Sequence, residues 1–327
     1  MFRGGILGLL ILVALSAVHA MPAPPPLRTR QSITALSSSQ ISAFKPYSFF
    51  ASAGYCQPSA TLAWSCGTNC EANPTFKPVA SGGDGSSVQF CGYRAGSRSR
   101  IDLIPYLTFR HIGYVGYDPA LDTVIVSHQG TDPSEIAALL TDGDVSLTNL
   151  DSTLFPGISS SVEVHEGFAG EQSKTAQQVL SAVQTALAQN GASHVTMVGH
   201  SLATASGAAL SLLDSVYLPL HIPGATFKTV LYGLPRVGNQ AFANYVDEHL
   251  SLTHINNEED PIPILPGRFL GYVHPSGEVH IEDSGEWASC PGQDNTSTQC
   301  IVGDVPNIFD GDESDHDGPY DGVEMGC

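Results

Sequence analysis

Ser201 is the residue of this sequence best placed to do chemistry, at the apex of Val198-Gly199-His200-Ser201-Leu202-Ala203. Residues 195–198 read as a buried strand and an apolar helical pattern follows, so the serine would stand on a tight strand-to-helix turn with its hydroxyl lifted above a sheet. Gly199 and Ala203, two positions before and after, let the helix pack close to the strand, although Ala203 stands where the usual pattern has glycine. A serine capping an ordinary helix is the plain alternative. A serine hydroxyl needs a base, itself oriented by a carboxylate, and on this kind of turn the chain order is serine, acid, histidine. Asp260, just beyond the strand-like residues 252–256, and His316 fill that order; Glu258 and Glu259 read as solvated loop charges. His274 and His280 flank Pro275-Ser276-Gly277 in what reads as a hairpin over 272–281, so they are expected to be structural. The backbone N–H of Leu202 would supply one oxyanion donor. The acidic residues 310–317 lack the sixth-position glycine and closing glutamate of an EF-hand, so no metal is expected. Their charge would instead favour protonated His316 and displace activity toward alkaline pH.

Positioning these three side chains requires alternating strands and helices. Residues 121–127, 195–198, 226–232 and 252–256 read as buried strands. Residues 171–189 carry Ala176, Val179, Leu180, Val183 and Leu187 on one face, with Asn190-Gly191 as a stop; further helices are expected over 202–216 and 240–250. The expectation is an α/β fold, a mostly parallel central sheet flanked by helices in a single domain.

Of 327 residues, 32 are Asp or Glu and 13 Lys or Arg, a net charge of −19 that excludes a nucleic-acid binder. Residues 1–20 have the build of a signal peptide: a basic start, an apolar run too short to span a bilayer, and Val18-His19-Ala20 as a cleavage site. Residues 21–30 are a Pro-rich spacer or short propeptide, leaving 31–327 as the catalytic domain. No later apolar run is long enough to span a membrane, so the expected product is secreted, without stable membrane insertion, and monomeric. Disulfides are then the default use of cysteine. Spacing suggests Cys66–Cys70 and Cys290–Cys300 as local loops and Cys56–Cys327 as a tie between the ends, leaving Cys91 over; zinc at Cys66 and Cys70 lacks a second pair. Asn295-Thr296-Ser297 is a glycosylation sequon inside the 290–300 loop.

From about residue 53 to residue 327 the chain resembles the class 3 lipase family, secreted filamentous-fungal lipases and their feruloyl esterase relatives, within the α/β-hydrolase superfamily. The resemblance rests on Ala53-Gly54-Tyr55-Cys56, Ser127-His128-Gln129-Gly130-Thr131, Val164-His165-Glu166-Gly167-Phe168, Gly199-His200-Ser201-Leu202 and Tyr232-Gly233-Leu234-Pro235-Arg236-Val237-Gly238-Asn239. It implies Ser201, Asp260 and His316 as nucleophile, orienting acid and base, and Thr131 as a second oxyanion donor steadied by Asp142 or Asp144. Residues 133–140, with Ile136, Leu139 and Leu140 on a greasy side, fall where the family has its lid, here about 132–150; a plain surface helix is the alternative. No cofactor is implied. The implied activity is hydrolysis of a carboxylic ester, foremost a triacylglycerol at a lipid–water interface. A feruloyl or other short-chain esterase is favoured by Asp132, Glu135, Asp142 and Asp144, and a binding protein that lost its chemistry is the third reading. Three departures bear on the site: His128-Gln129 for Phe-Arg, Ala203 for glycine, and Asp317-Gly318-Pro319 for a more apolar stretch.

Overall fold

All six residues of the strand Thr123–His128 are buried, as expected of a strand covered on both faces. The computed structural model describes Met1 and residues 32–82, 88–89, 91–92, 108–109, 113–130, 145–201 and 207–327. Within the unit Ser32–Cys327, ten strands make one sheet: β1 (Thr34–Ala35), β2 (Lys77–Gly82), β3 (Cys91–Gly92), β4 (Gly113–Asp118), β5 (Thr123–His128), β6 (His194–His200), β7 (Thr226–Tyr232), β8 (Leu252–Asn257), β9 (Glu278–Ile281) and β10 (Trp287–Cys290). Their order is β1-β10-β9-β8-β7-β6-β5-β4-β2-β3. Strands β5 to β9 pair in parallel, and antiparallel strands flank them on both sides.

Alternation along these strands splits the core into two layers. Val124, Val126, Val195, Met197 and Leu231 face one side, where helices α2 (Glu166–Asn190), α3 (Ala208–His221) and α4 (Gln240–His249) bring Val179, Val183, Leu213, Phe242 and Val246. Ile125, Val198, Val230, Tyr232 and Ile255 face the other, against Tyr47, Phe50 and Ala51 of α1 (Lys45–Ala53). Disulfides join Cys56 to Cys327, Cys66 to Cys70 and Cys290 to Cys300. The first moors the C-terminus to the end of α1, where Ser52 Oγ also donates to Gly326 O (2.8 Å). Asn295 bonds within its loop, its amide nitrogen donating to Pro291 O (2.9 Å).

Three expectations about elements need correction. Helix α2 starts at Glu166 rather than 171, because His165 caps it by accepting from Gly167 N (3.0 Å), a cap residue outside the usual Ser/Thr/Asn/Asp set. Helix α3 ends at His221 rather than 216, since Tyr217 and Leu218 continue its buried pattern; residues 202–206 lie outside the described residues. Residues 272–281 do not form a hairpin. Tyr272–Val273 pairs with Gly238–Asn239 in a second, four-stranded sheet, whereas β9 joins the main sheet parallel to β8. Asp247 of α4 holds Ser276 through its N (2.7 Å) and Oγ (2.8 Å), and Gly277 at φ +106° lets the chain run close over Leu252. The segment therefore crosses between sheets instead of turning back.

Candidate active site

Strands β6, β7 and β8 end side by side, with His200 opposite Tyr232 and Tyr232 opposite Ile255. The carboxyl edge of a parallel sheet is where sites of such folds collect. Ser201 follows β6 at φ +69°, in the left-handed region that a serine adopts only under constraint. The constraint is visible: Ser201 N donates to Tyr232 O (2.9 Å), and Ala208 N, at the start of α3, donates to Ser201 O (2.9 Å). Gly199 makes room for this turn, since a Cβ there would lie 2.6 Å from Ser211 Oγ and 3.1 Å from Ala208 N.

Asp260 follows β8, after a turn in which its N–H donates to Asn257 O (3.0 Å). Its Oδ1 accepts from Ile262 N (2.8 Å), leaving Oδ2 to accept from His316 Nδ1 (2.8 Å). His316 lies on the one-and-a-half-turn 3-10 segment Glu313–Asp317. That segment is sewn to the Asp260 loop: Asn257 Nδ2 donates to Asp315 O (3.0 Å), Glu259 N to Asp315 Oδ2 (3.1 Å), and Asp312 N to Glu259 O (2.9 Å). The carboxylates around His316 are thus engaged in building the loop. Burial and their neighbours' charge raise the pKa of Glu258, Glu259 and Asp315, while bonds from Ser314 lower that of Asp312.

His316 Nε2 lies 2.6 Å from Ser201 Oγ. Because a carboxylate only accepts, Nδ1 carries the proton and a neutral ring presents a bare Nε2 to the serine hydroxyl. Ser201, Asp260 and His316 are all fully buried. Such a chain can move the hydroxyl proton onto the imidazole as oxygen attacks a carbonyl carbon, the developing charge being held against Asp260.

Sequence reasoning assigned no partner or role to four supports of this arrangement, although it marked His128 as a departure near the site. Gly233 follows β7 at φ +53°, and a Cβ there would lie 2.7 Å from His316 Cε1 and 3.2 Å from Asp260 Oδ2; its signal was its place in the Tyr232-Gly233 block. Tyr320 OH donates to His316 O (3.0 Å). His200, fully buried, has its pKa pushed well below the ordinary histidine value, first by burial and then by the neighbouring His316. At the end of β5, His128 Nε2 lies 2.8 Å from Asp214 Oδ2 on α3, and Gln172 Nε2 of α2 donates to Asp214 Oδ1 (2.9 Å). The residue standing for the family's phenylalanine therefore ties the strand that leads to residue 131 onto the helix behind the serine. Thr131 and Leu202, Asp142 and Asp144, and Ile136, Leu139 and Leu140 lie outside the described residues.

The family model described as Lipase (class 3) matches residues 125–270, which run from within β5 to Leu270 and include Ser201 and Asp260 but not His316. That match covers just under half of the chain and marks a likeness to the class 3 lipases. Among its relatives, the secreted mono- and diacylglycerol lipase MDL2 of Malassezia globosa is 34% identical over 208 residues, covering 62% of this chain and 66% of that one. The secreted mono- and diacylglycerol lipase LIP2 of Malassezia restricta is 31% identical over 177 residues, covering 53% and 55%. The chain thus spans under two thirds of the length of these curated relatives. Among solved structures, lipase II from Rhizopus niveus matches with a TM-score of 0.69 at 23% identity over 90% of this chain and 99% of that one. The triacylglyceride lipase of Rhizomucor miehei matches with a TM-score of 0.70 at 23% identity, over 90% and 98%. These likenesses carry the α/β-hydrolase fold. No helix among the described residues is long and apolar enough to cross a membrane.

Proposed function

We propose that this chain is a lipase of the class 3 family, a secreted hydrolase of acylglycerol esters working through an acyl-Ser201 intermediate. The observation that carries the reading is the buried chain Ser201 Oγ, His316 Nε2 (2.6 Å), His316 Nδ1 and Asp260 Oδ2 (2.8 Å). Ser201 attacks the ester carbonyl carbon while His316 takes its proton; the tetrahedral oxyanion is held by the N–H of Leu202 and by Thr131, with Asp142 or Asp144 behind Thr131. Collapse breaks the bond to the alcohol oxygen, which leaves with the proton from His316. Water, deprotonated by His316, then attacks the acyl-enzyme and releases the acid and Ser201. Each oxyanion donor is worth about 3 kcal/mol of barrier by analogy with hydrolases in which one has been removed.

Support for acylglycerols comes from the relatives, which are named as secreted mono- and diacylglycerol lipases, and for secretion from the same names together with residues 1–20. Residues from 132 up to the strand Leu147–Asn149, a shorter span than the expected 132–150 because that strand is paired in the four-stranded sheet, would form the lid with Ile136, Leu139 and Leu140, and Asn295 would carry a glycan. The protein is read as a monomer that needs no cofactor. The test compares monoolein, diolein and triolein emulsions with methyl ferulate at equal protein. Turnover of the glycerides that disappears in Ser201→Ala is expected, and the preferred glyceride separates a partial-glyceride lipase from a triacylglycerol lipase. Turnover of methyl ferulate alone would overturn the acylglycerol reading.

A further inference from the structure

His316 works under an awkward demand. Its Nε2 is an acceptor before attack and a donor afterwards, so the ring's bond to Ser201 changes character in every turnover and cannot by itself fix the ring's place. The 3-10 turn that carries residue 316 is sewn to the Asp260 loop through Asp312 and Asp315, and Asp260 holds Nδ1 throughout, but neither reaches the carbonyl of residue 316 itself. That carbonyl needs a hold of its own that does not change during the reaction.

We propose that Tyr55 and His200 are positioning residues for His316, acting through its backbone carbonyl in a hydrogen-bonded chain from phenol to imidazole to carbonyl. The proposal rests on the reading of His316 as the base. His200 Nε2 lies 2.8 Å from His316 O, and Tyr55 OH lies 2.5 Å from His200 Nδ1. A carbonyl only accepts, so His200 Nε2 carries the hydrogen. In the neutral ring Nδ1 is then bare, and the tyrosine hydroxyl must donate to it. The proton arrangement of the chain has one solution. Tyr320 OH donates to the same carbonyl (3.0 Å), giving His316 O two donors and holding it from two directions.

The two imidazoles lie with centroids 4.5 Å apart. A neutral His200 therefore faces His316 as the latter gains and loses charge, and the donating phenol occupies the nitrogen on which a second positive charge would form. Tyr55 is brought there by the same fastening that holds the C-terminus, since the next residue, Cys56, is bonded to Cys327. Its hydroxyl also fills the space beside Gly130, where any Cβ would overlap it and would lie 2.6 Å from Ser201 Cβ. One phenol thus abuts the base's support, the nucleophile's turn and the strand end leading to residue 131. Filling space alone would not call for three polar atoms paired in one possible order.

The experiment is a double-mutant cycle on a soluble p-nitrophenyl ester, joined to 15N NMR of the histidine rings in the resting full chain. Tyr55→Phe is expected to lower kcat about fivefold to tenfold, the worth of one net hydrogen bond, with KM unchanged within about twofold. His200→Gln keeps an N–H able to reach His316 O and should retain more kcat than His200→Leu. In the His200→Gln background, Tyr55→Phe should cost less than about twofold, because its partner nitrogen is gone. Should His200→Leu fail to fold, the wild type and the other three variants complete the cycle. Independent, multiplying effects, or a Tyr55→Phe effect confined to KM, would overturn the proposal and make Tyr55 a substrate contact. The NMR arm does not depend on turnover: wild-type His200 should be neutral with its proton on Nε2 at pH 7, and the Nδ1–H form or an imidazolium would refute the chain. If no ester is turned over, the functional reading fails while this arm still judges the hydrogen-bonded chain.

Discussion

Replacing Gly233 by alanine should disable the site without dismantling the fold. The added Cβ would lie 2.7 Å from His316 Cε1 and 3.0 Å from Nδ1. Carbon atoms in contact rest at about 3.5 Å, so the ring must retreat by roughly 0.8 Å. Its bonds to Ser201 and Asp260 are 2.6 and 2.8 Å, and neither can absorb such a shift and keep its geometry. Misplacement of about 1 Å costs on the order of 100-fold in rate, so kcat/KM should fall about 30-fold to 100-fold. The positive φ of 53° adds about 1 kcal/mol of backbone strain, a loss of about 2–4 °C in Tm. Gly191→Ala is the control, because that glycine has a similar φ of 62° and open space where the Cβ would go. It should show the same strain in Tm and wild-type kcat. The assay is steady-state hydrolysis of p-nitrophenyl butyrate beside thermal unfolding. Gly233→Ala with activity within threefold of wild type, or a loss matched by Gly191→Ala, would refute the reasoning.

Other consequences can be checked on the same preparation. Opening Cys56–Cys327, which closes a loop with a sequence separation of 271, should cost about 5 kcal/mol in the chain-entropy model, and activity should fall with it because the tethered tail carries the His316 segment; a Cys56→Ser, Cys327→Ser protein of unchanged Tm would contradict this. Asp214→Ala should destabilise by about 3 kcal/mol, measured by urea unfolding, since it strands both His128 Nε2 and Gln172 Nε2 in the interior; a loss below about 1 kcal/mol would show those groups re-paired. Glu278, the first residue of β9, is buried with its pKa raised to about 7, first by burial. Its native pKa lies above the unfolded value, so between roughly pH 4.5 and 7 the unfolded chain has lost this proton and the native one has not. Stability through this group therefore falls as pH rises across that window and is level above it. Glu278→Gln should flatten that part of the Tm–pH curve, and an unchanged slope would assign the dependence elsewhere.

The chemistry was more legible in the sequence than its supports, for a physical reason. A nucleophile elbow is a local object: a strand, a small residue, a serine and a helix in nine positions, so Ser201 announces itself, and chain order then narrows the acid and base to few candidates. The parallel strands were legible because burial on both faces makes them continuously apolar, as in Val124, Ile125 and Val126. Supports such as His200, Tyr55 and Tyr320 are single polar residues whose partners lie more than a hundred positions away or across a turn, and neither period nor spacing marks them. The departure at His128 was visible as a changed residue, but its partner Asp214 is 86 positions further on, inside an apolar helix pattern. The expected hairpin over 272–281 failed because Pro275-Ser276-Gly277 is a turn signal whichever way the chain proceeds. The decision was made by Asp247 on a neighbouring helix, which holds Ser276 and sends the strand into the main sheet.

The most direct test of the central claim is covalent labelling by a p-nitrophenyl alkyl phosphonate, with the adduct located by peptide mass spectrometry. The account predicts one adduct, on Ser201, formed at least about 100-fold more slowly in His316→Ala because the hydroxyl then has no base. An adduct on any other residue, or a labelling rate at Ser201 that does not depend on His316, would contradict it.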